Sequence, residues 1–217
     1  MELTFATLLL LFLRLSPFVL ICFFSISSIF NNDLKGIVYL VGLLLAAGMS
    51  LMAQGIVSPP TIPNKDSICD VVSFGSGMFS KIPLGQTVLG FTFAYLFNTM
   101  MKTSMEYPDS NIISRNWPTI VFFVTLIFFD LVLNTNSFNV IKTYLSLPNT
   151  FCYTISQSMI AYGIGAVAGL IWASIIYSAR TPELLYFSKY KNNETCSKVS
   201  NKTFKCKVYK NGKLISG

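Results

Sequence analysis

The sequence predicts an all-α polytopic membrane protein, with about five transmembrane helices plus a small C-terminal β-hairpin tail. Three observations carry this prediction. No charged residue falls between Lys35 and Lys65, between Lys81 and Lys102, or between Lys142 and Arg180. Each gap reaches the ~20 residues that an α-helix needs to cross a hydrocarbon core. The 217 residues are 53% hydrophobic and only 12% charged, about half the charged fraction of a soluble domain. Lipid offers backbone N–H and C=O groups no partner, so the crossings are expected to be helices.

The elements follow in order. Met1–Phe30 has no basic region before its apolar run, and Glu2 is acidic, so it reads as a retained first helix, Leu3 to Phe30, rather than a signal peptide. Pro17 removes one backbone bond inside it and is expected to kink it. Asn31-Asn32-Asp33 is a tight polar turn. Helix two spans Leu34 to Val57 and stops at Ser58-Pro59-Pro60. A loop rich in Pro, Gly and Ser follows to Lys81, with Val71–Phe79 apolar enough to lie in the interface or re-enter the membrane. Helix three spans Leu84 to Lys102, and a polar loop runs from Thr103 to Asn116. Helix four opens at Trp117-Pro118, where a proline costs little, and reaches Leu133. A mixed stretch, 134–149, leads to helix five, Thr154 to Ser178, ended by Arg180-Thr181-Pro182.

Two domains are expected: a transmembrane helical domain, 1–180, and a basic tail, 181–217. From Tyr186 onward, eight lysines face only Glu194, which accounts for the whole net charge of +7. Lys and Arg stay cytoplasmic, so the tail face is expected to be cytosolic. Five crossings then put loops 58–83 and 134–153 together on the opposite face. Within the tail, Lys205, Lys207 and Tyr209 alternate with Phe204, Cys206 and Val208, and Asn211-Gly212 is a hairpin turn signal. A lone hairpin is marginal in water. Phe204, Lys205, Lys207, Val208 and Tyr209 are therefore the candidate partner-binding residues.

The five cysteines have no metal-ligand spacing and there is no histidine, so no metal or cofactor is expected. Cys69 and Cys152 fall on loops assigned to one face. They form a disulfide in an oxidising compartment or remain two separate buried thiols. Cys22 reads as packing inside helix one. The sequons at Asn193 and Asn201 would go unused on a cytosolic tail. Arg14 and Asp130 are charges inside helices. Such charges mark sites in some membrane proteins, but snorkelling or structural pairing is the reading preferred here. Gly165-x-x-x-Gly169 permits close helix packing, within the chain rather than as a dimer seam.

The order of segments resembles the type-2 phosphatidic acid phosphatase family. Pro83-Leu84-Gly85-Gln86 opens helix three where that family carries Pro-Ser-Gly-His. Ser146-Leu147, five residues, Tyr153, three residues and Gln157 keep the spacing of its Ser-Arg-x5-His-x3-Asp motif. Its first motif, Lys-x6-Arg-Pro, would fall near Leu51–Pro59, with only the proline left. The resemblance spans roughly residues 35–178. It implies a helical scaffold whose reactive histidines are replaced by Gln86 and Tyr153 and whose cations are replaced by leucine or serine. Phosphoryl transfer needs a positioned nucleophile and cationic stabilisation, so the resemblance implies a non-enzymatic relative. The segments 29–40 and 206–212 also resemble membrane proteins of large eukaryotic DNA viruses. That implies a virion inner membrane or a host endoplasmic-reticulum-derived membrane, with the tail touching capsid protein.

The expected function is thus a structural membrane protein in contact with membrane lipids and other structural proteins. An oligomer is compatible with this reading, and no specific nucleic acid is expected. One alternative is a lipid-handling or lipid-binding protein with a headgroup pocket between loops 58–83 and 134–153. Another is an accessory subunit of a membrane complex. A channel is the weakest reading, because no helix shows the repeated polar face of a pore.

Overall fold

The structure, a computed structural model, describes residues 5–57, 82–106, 111–135, 138–144, 152–187, 208–210 and 213–216. Its helices are α1 (Phe5–Asn31), α2 (Lys35–Val57), α3 (Leu84–Glu106), α4 (Ile112–Arg115), α5 (Trp117–Asn134), α6 (Asn139–Tyr144) and α7 (Ile155–Ser178). A 3-10 turn, Pro182–Leu184, follows α7. Two short strands, β1 (Val208–Lys210) and β2 (Lys213–Ser216), pair antiparallel, with Tyr209 opposite Leu214 and Lys210 opposite Lys213.

Local chemistry explains the boundaries. Pro17 lies inside α1, which continues on both sides of it, and its ring packs where Gly85 leaves room. Asn32 takes a left-handed conformation at φ 50°. That turns the chain so that Asp33 N donates to Ser28 O at 3.1 Å and α2 starts at once. Pro118 sits in the first turn of α5, where its missing N–H has no intrahelical partner to lose. A capping box opens α7. Gln157 N donates to Thr154 Oγ1 at 3.3 Å, and Thr154 N donates to Gln157 Oε1 at 2.9 Å.

The five long helices among the described residues alternate in direction. At one end of the bundle, Arg14 of α1 meets Asn134 of α5, Gln86 of α3 meets Asp130, and Ser50 of α2 meets Thr87. At the other end, Phe24 of α1 meets Tyr39 of α2 and Tyr186, while Glu106 of α3 meets Tyr177 of α7. α3 and α7 therefore run parallel. Contacts step along both together, from Gly90 against Tyr162 to Asn98 Nδ2 donating to Ser174 Oγ at 3.0 Å.

Close approach of α3 and α7 depends on glycine. A Cβ on Gly165 would stand 2.8 Å from Phe91 N and collide with Thr87 O; one on Gly169 would stand 2.5 Å from Phe91 O. Gly163, on the outer face, has open space. α3 is the central helix and touches α1, α2, α5 and α7. Its buried threonines are satisfied inside the bundle. Thr92, Thr99 and Thr103 donate to carbonyls four residues back at 2.7–2.8 Å, and Tyr39 OH meets Thr92 Oγ1 at 2.7 Å. An aromatic core of Phe24, Tyr39, Phe91 and Tyr95 fills the other end, with ring centroids 4.6–5.9 Å apart.

Among the described residues, four helical segments are long and apolar enough to cross a membrane: Leu11–Asn31, Lys35–Gly55, Trp117–Asn134 and Ile155–Ser178. Their outer faces carry exposed Phe23, Leu44, Met52, Val124 and Ile171. A soluble protein avoids contiguous apolar surface of this kind. This is the build of a multi-pass membrane protein.

Three expectations change. The helical unit does not stop at residue 180. Leu185 is buried, Tyr186 OH donates to Phe24 O at 3.1 Å, and Leu184 and Phe187 pack on the core, so the unit reaches Phe187. Helix three continues past Lys102 to Glu106, and the 103–116 loop contains α4. The 134–149 stretch contains α6. The Val71–Phe79 segment, Cys69, Ser146, Leu147, Cys196, Phe204, Lys205, Cys206, Lys207, the Asn211-Gly212 turn and both sequons lie outside the described residues.

Candidate functional site

The chemically densest part of the bundle is its end where α1, α3, α5 and α7 converge. Asp130, one turn before the end of α5, is buried at 5% exposure. Its Oδ2 accepts from Gln86 Nε2 and from Tyr162 OH, each at 2.7 Å. Its Oδ1 accepts from Asn134 Nδ2 at 2.7 Å. Asn134 and Asp130 are four residues apart, so they share one face of α5. Asn134 Oδ1 in turn accepts from Arg14 Nη2 at 3.1 Å, and Arg14 Nη2 also contacts Cys152 Sγ. Thus one carboxylate gathers three donors from three helices, and a guanidinium closes the chain through an amide.

The local fold explains how these groups meet. Asn134 is the last residue of α5, and its carbonyl accepts from both Cys152 N (3.0 Å) and Tyr153 N (3.1 Å). Thr135 and Tyr153 form a parallel bridge. The chain leaving α5 is therefore pinned to the chain entering α7. Cys152 is disulfide-bonded, while Cys22 is free. Cys69, the partner expected for Cys152, lies outside the described residues.

Each motif position has a definite place. Pro83 supplies the carbonyl that receives Gln86 N (3.1 Å) and Thr87 N (3.2 Å), which starts α3. Leu84 is half-buried and Gly85 lies against Pro17. Gln86 is buried and holds Asp130, and its Oε1 has no hydrogen-bond partner. Gln157 caps α7. Tyr153 is half-buried in its bridge. Gly165 and Gly169 lie on the α3 side of α7. Val208 and Tyr209 lie in β1.

The structure brings Gln86 together with Arg14 and Asp130, which the sequence treats separately. Asn134 and Tyr162 are not singled out by the sequence at all. The Asp130/Asn134 spacing of four is a legible signal for the first, whereas nothing local marks Tyr162. Among the described residues, no three His, Cys, Asp or Glu side chains come together as a metal site would need. The chain matches no protein-family model, no curated protein and no solved structure.

The arrangement can do one thing well. Three donors satisfy one buried carboxylate and lock α3, α5 and α7 together in a low-dielectric setting. Such a network is strong when complete and costly when broken.

Proposed function

We propose that this chain is a non-enzymatic structural membrane protein: a five-crossing helical scaffold, degenerate relative to lipid phosphatases, whose basic tail docks a partner. One observation carries the reading. Gln86, at the position where the resembling family has a histidine, is buried with its amide engaged by Asp130. A side chain held this way is a structural tie, not a poised nucleophile or acid. Gln157, where that family has an aspartate, is likewise engaged as a helix cap.

α3 is the fifth crossing. Its 23 residues span about 35 Å at 1.5 Å each, enough for a core of ~30 Å. It is less apolar than the others because its neighbours, not lipid, surround it. The tail lies on the cytosolic side. The disulfide at Cys152 supports an oxidising compartment at the opposite end. Cysteine labelling at positions 67 and 110 should then report opposite sides of the membrane; labelling of both from one side would end this topology.

The partner is a structural protein that accepts the tail by strand addition, and Val208 and Tyr209 belong to the docking strand. Removing residues 188–217 should leave insertion intact and abolish association with the assembly in a virion inner membrane or an endoplasmic-reticulum-derived membrane. Incorporation at the normal level would reduce the tail to a solubilising appendage. Purified protein in mixed micelles should release no phosphate from phosphatidic acid. Release that is abolished by Gln86→Ala or Tyr153→Ala would favour the lipid-handling alternative instead.

A further inference from the structure

We infer that the groove at the α1–α2 turn is a binding site for a zwitterionic phospholipid whose head carries a primary ammonium, the phosphatidylethanolamine class. The groove has a volume of about 450 Å³, within the range of about 300–1,000 Å³ for small-ligand sites. Gly36 makes its floor. A Cβ there would stand 2.5 Å from Ser28 Cβ and 2.6 Å from Phe24 O, so its absence lets α1 and α2 touch and leaves a trough above them.

The lining is divided by chemistry. Ile29, Leu34, Ile37 and Leu40 line it with hydrocarbon, and Asn32 and Asp33 line it with polar groups. Ser25 and Ser28 also line it, but their hydroxyls already donate within the chain, to Ile21 O and Asp33 O. The polar recognition therefore falls to the two turn residues. Asp33 Oδ1 accepts from Lys35 N at 3.3 Å, and the half-buried carboxylate is one of the groups that line the groove.

Position selects the occupant. The turn joins two membrane-length segments, Leu11–Asn31 and Lys35–Gly55, so it lies where headgroups lie. Ile29, Leu34 and Ile37 are exposed beside it, and in a bilayer lipid tails cover such surface. The occupant thus carries hydrocarbon below and a head above. Asp33 repels a purely anionic head and takes a cation. A primary ammonium offers N–H donors to a carboxylate, whereas a trimethylated one offers none. Lys35, two residues on, carries the opposite charge at the start of α2, and Asn32 lines the groove. Both signs of charge thus stand within one turn of chain. The site is independent of the proposed scaffold role, since it requires only that α1 and α2 span a membrane.

The test uses the full chain reconstituted in vesicles of equal phosphatidylethanolamine and phosphatidylcholine. The protein is then extracted in mild detergent, and the retained lipid is measured by mass spectrometry. Phosphatidylethanolamine should be enriched roughly fivefold, the scale of one charge-assisted hydrogen bond near water. Asp33→Asn keeps an oxygen for Lys35 N and should return the ratio to that of the vesicle. Ile37→Trp, at an exposed wall position, should lower retention of both lipids. Unchanged thermal unfolding of both variants would show that the bundle is intact. An input ratio in the native protein, or enrichment that survives Asp33→Asn, would overturn the proposal. So would a groove closed by a second copy of the chain, seen as a dimer carrying neither lipid.

Discussion

Gln86 donates its side-chain amide to Asp130 at 2.7 Å, tying the start of α3 to the end of α5. The same carboxylate also holds Tyr162 and Asn134. Asp130→Ala would strand three donors in the interior, at a cost of about 3–5 kcal/mol. Gln86→Leu removes a single donor, together with an oxygen that already lacks a partner, and should cost only about 1–3 kcal/mol. Thermal unfolding in detergent orders the two variants. Equal midpoints for Asp130→Ala and the native chain would sink the idea that this network holds the bundle.

The two ends of the Arg14–Asn134–Asp130 chain should be energetically coupled. Arg14→Gln and Asp130→Asn share a network, so their effects should fall short of additivity, with an interaction energy of about 0.5–3 kcal/mol. A double-mutant cycle measures it. Strict additivity would mean that Asn134 insulates the two charges from each other.

Glycine positions on α7 should divide by face. Gly165→Ala places a Cβ against the α3 backbone and should cost about 1–3 kcal/mol by overpacking. Gly163→Ala meets open space and should be neutral, or stabilising by up to about 1 kcal/mol, because alanine favours the helix. If Gly165→Ala melts no lower than Gly163→Ala, the parallel α3–α7 contact is wrong.

The strap after α7 should release at high pH. Burial and, secondarily, the charge of Asp33 push the Tyr186 hydroxyl up to about 12. A raised folded-state value means that the folded chain prefers the protonated phenol. The contribution is complete below the unfolded tyrosine value of about 10. It is lost as pH rises from there through about 12. Protease sensitivity near residue 187 should stay flat from neutral pH to about 9 and rise above 10. Tyr186→Phe, which has no hydroxyl to ionise, should abolish that rise.

Much of the helix layout was legible because charge-free runs of membrane length leave few alternatives. The starts at Lys35, Leu84, Trp117 and Ile155 lie within about one residue of the sequence reading, since Pro118 and the polar turn at Asn32 mark them locally. The candidate site was less legible. Gln157 sits at a motif spacing, yet Thr154-x-x-Gln157 is also a capping box, and the structure uses it that way. The Asp130 network joins four helices distant in sequence, and periodicity carries no information about which helices meet. Leu185 and Tyr186 looked like the start of a solvated tail because lysines follow them. Tyr186 is held by Phe24, more than a hundred and fifty residues earlier.

The central place of α3 has a consequence for how the chain is made. α3 is completed about 50 residues before α7 begins, and at ~5–20 residues per second that is roughly 3–10 s of synthesis. During that interval Gly90 and the backbone at Thr87 and Phe91 lack the helix that covers them, and hydrocarbon is a poor substitute. A nascent chain halted before residue 155 should therefore leave α3 outside the bilayer or held by an insertion factor, and only the emergence of α7 should draw it in. Biogenesis of this protein is then paced by its last long helix.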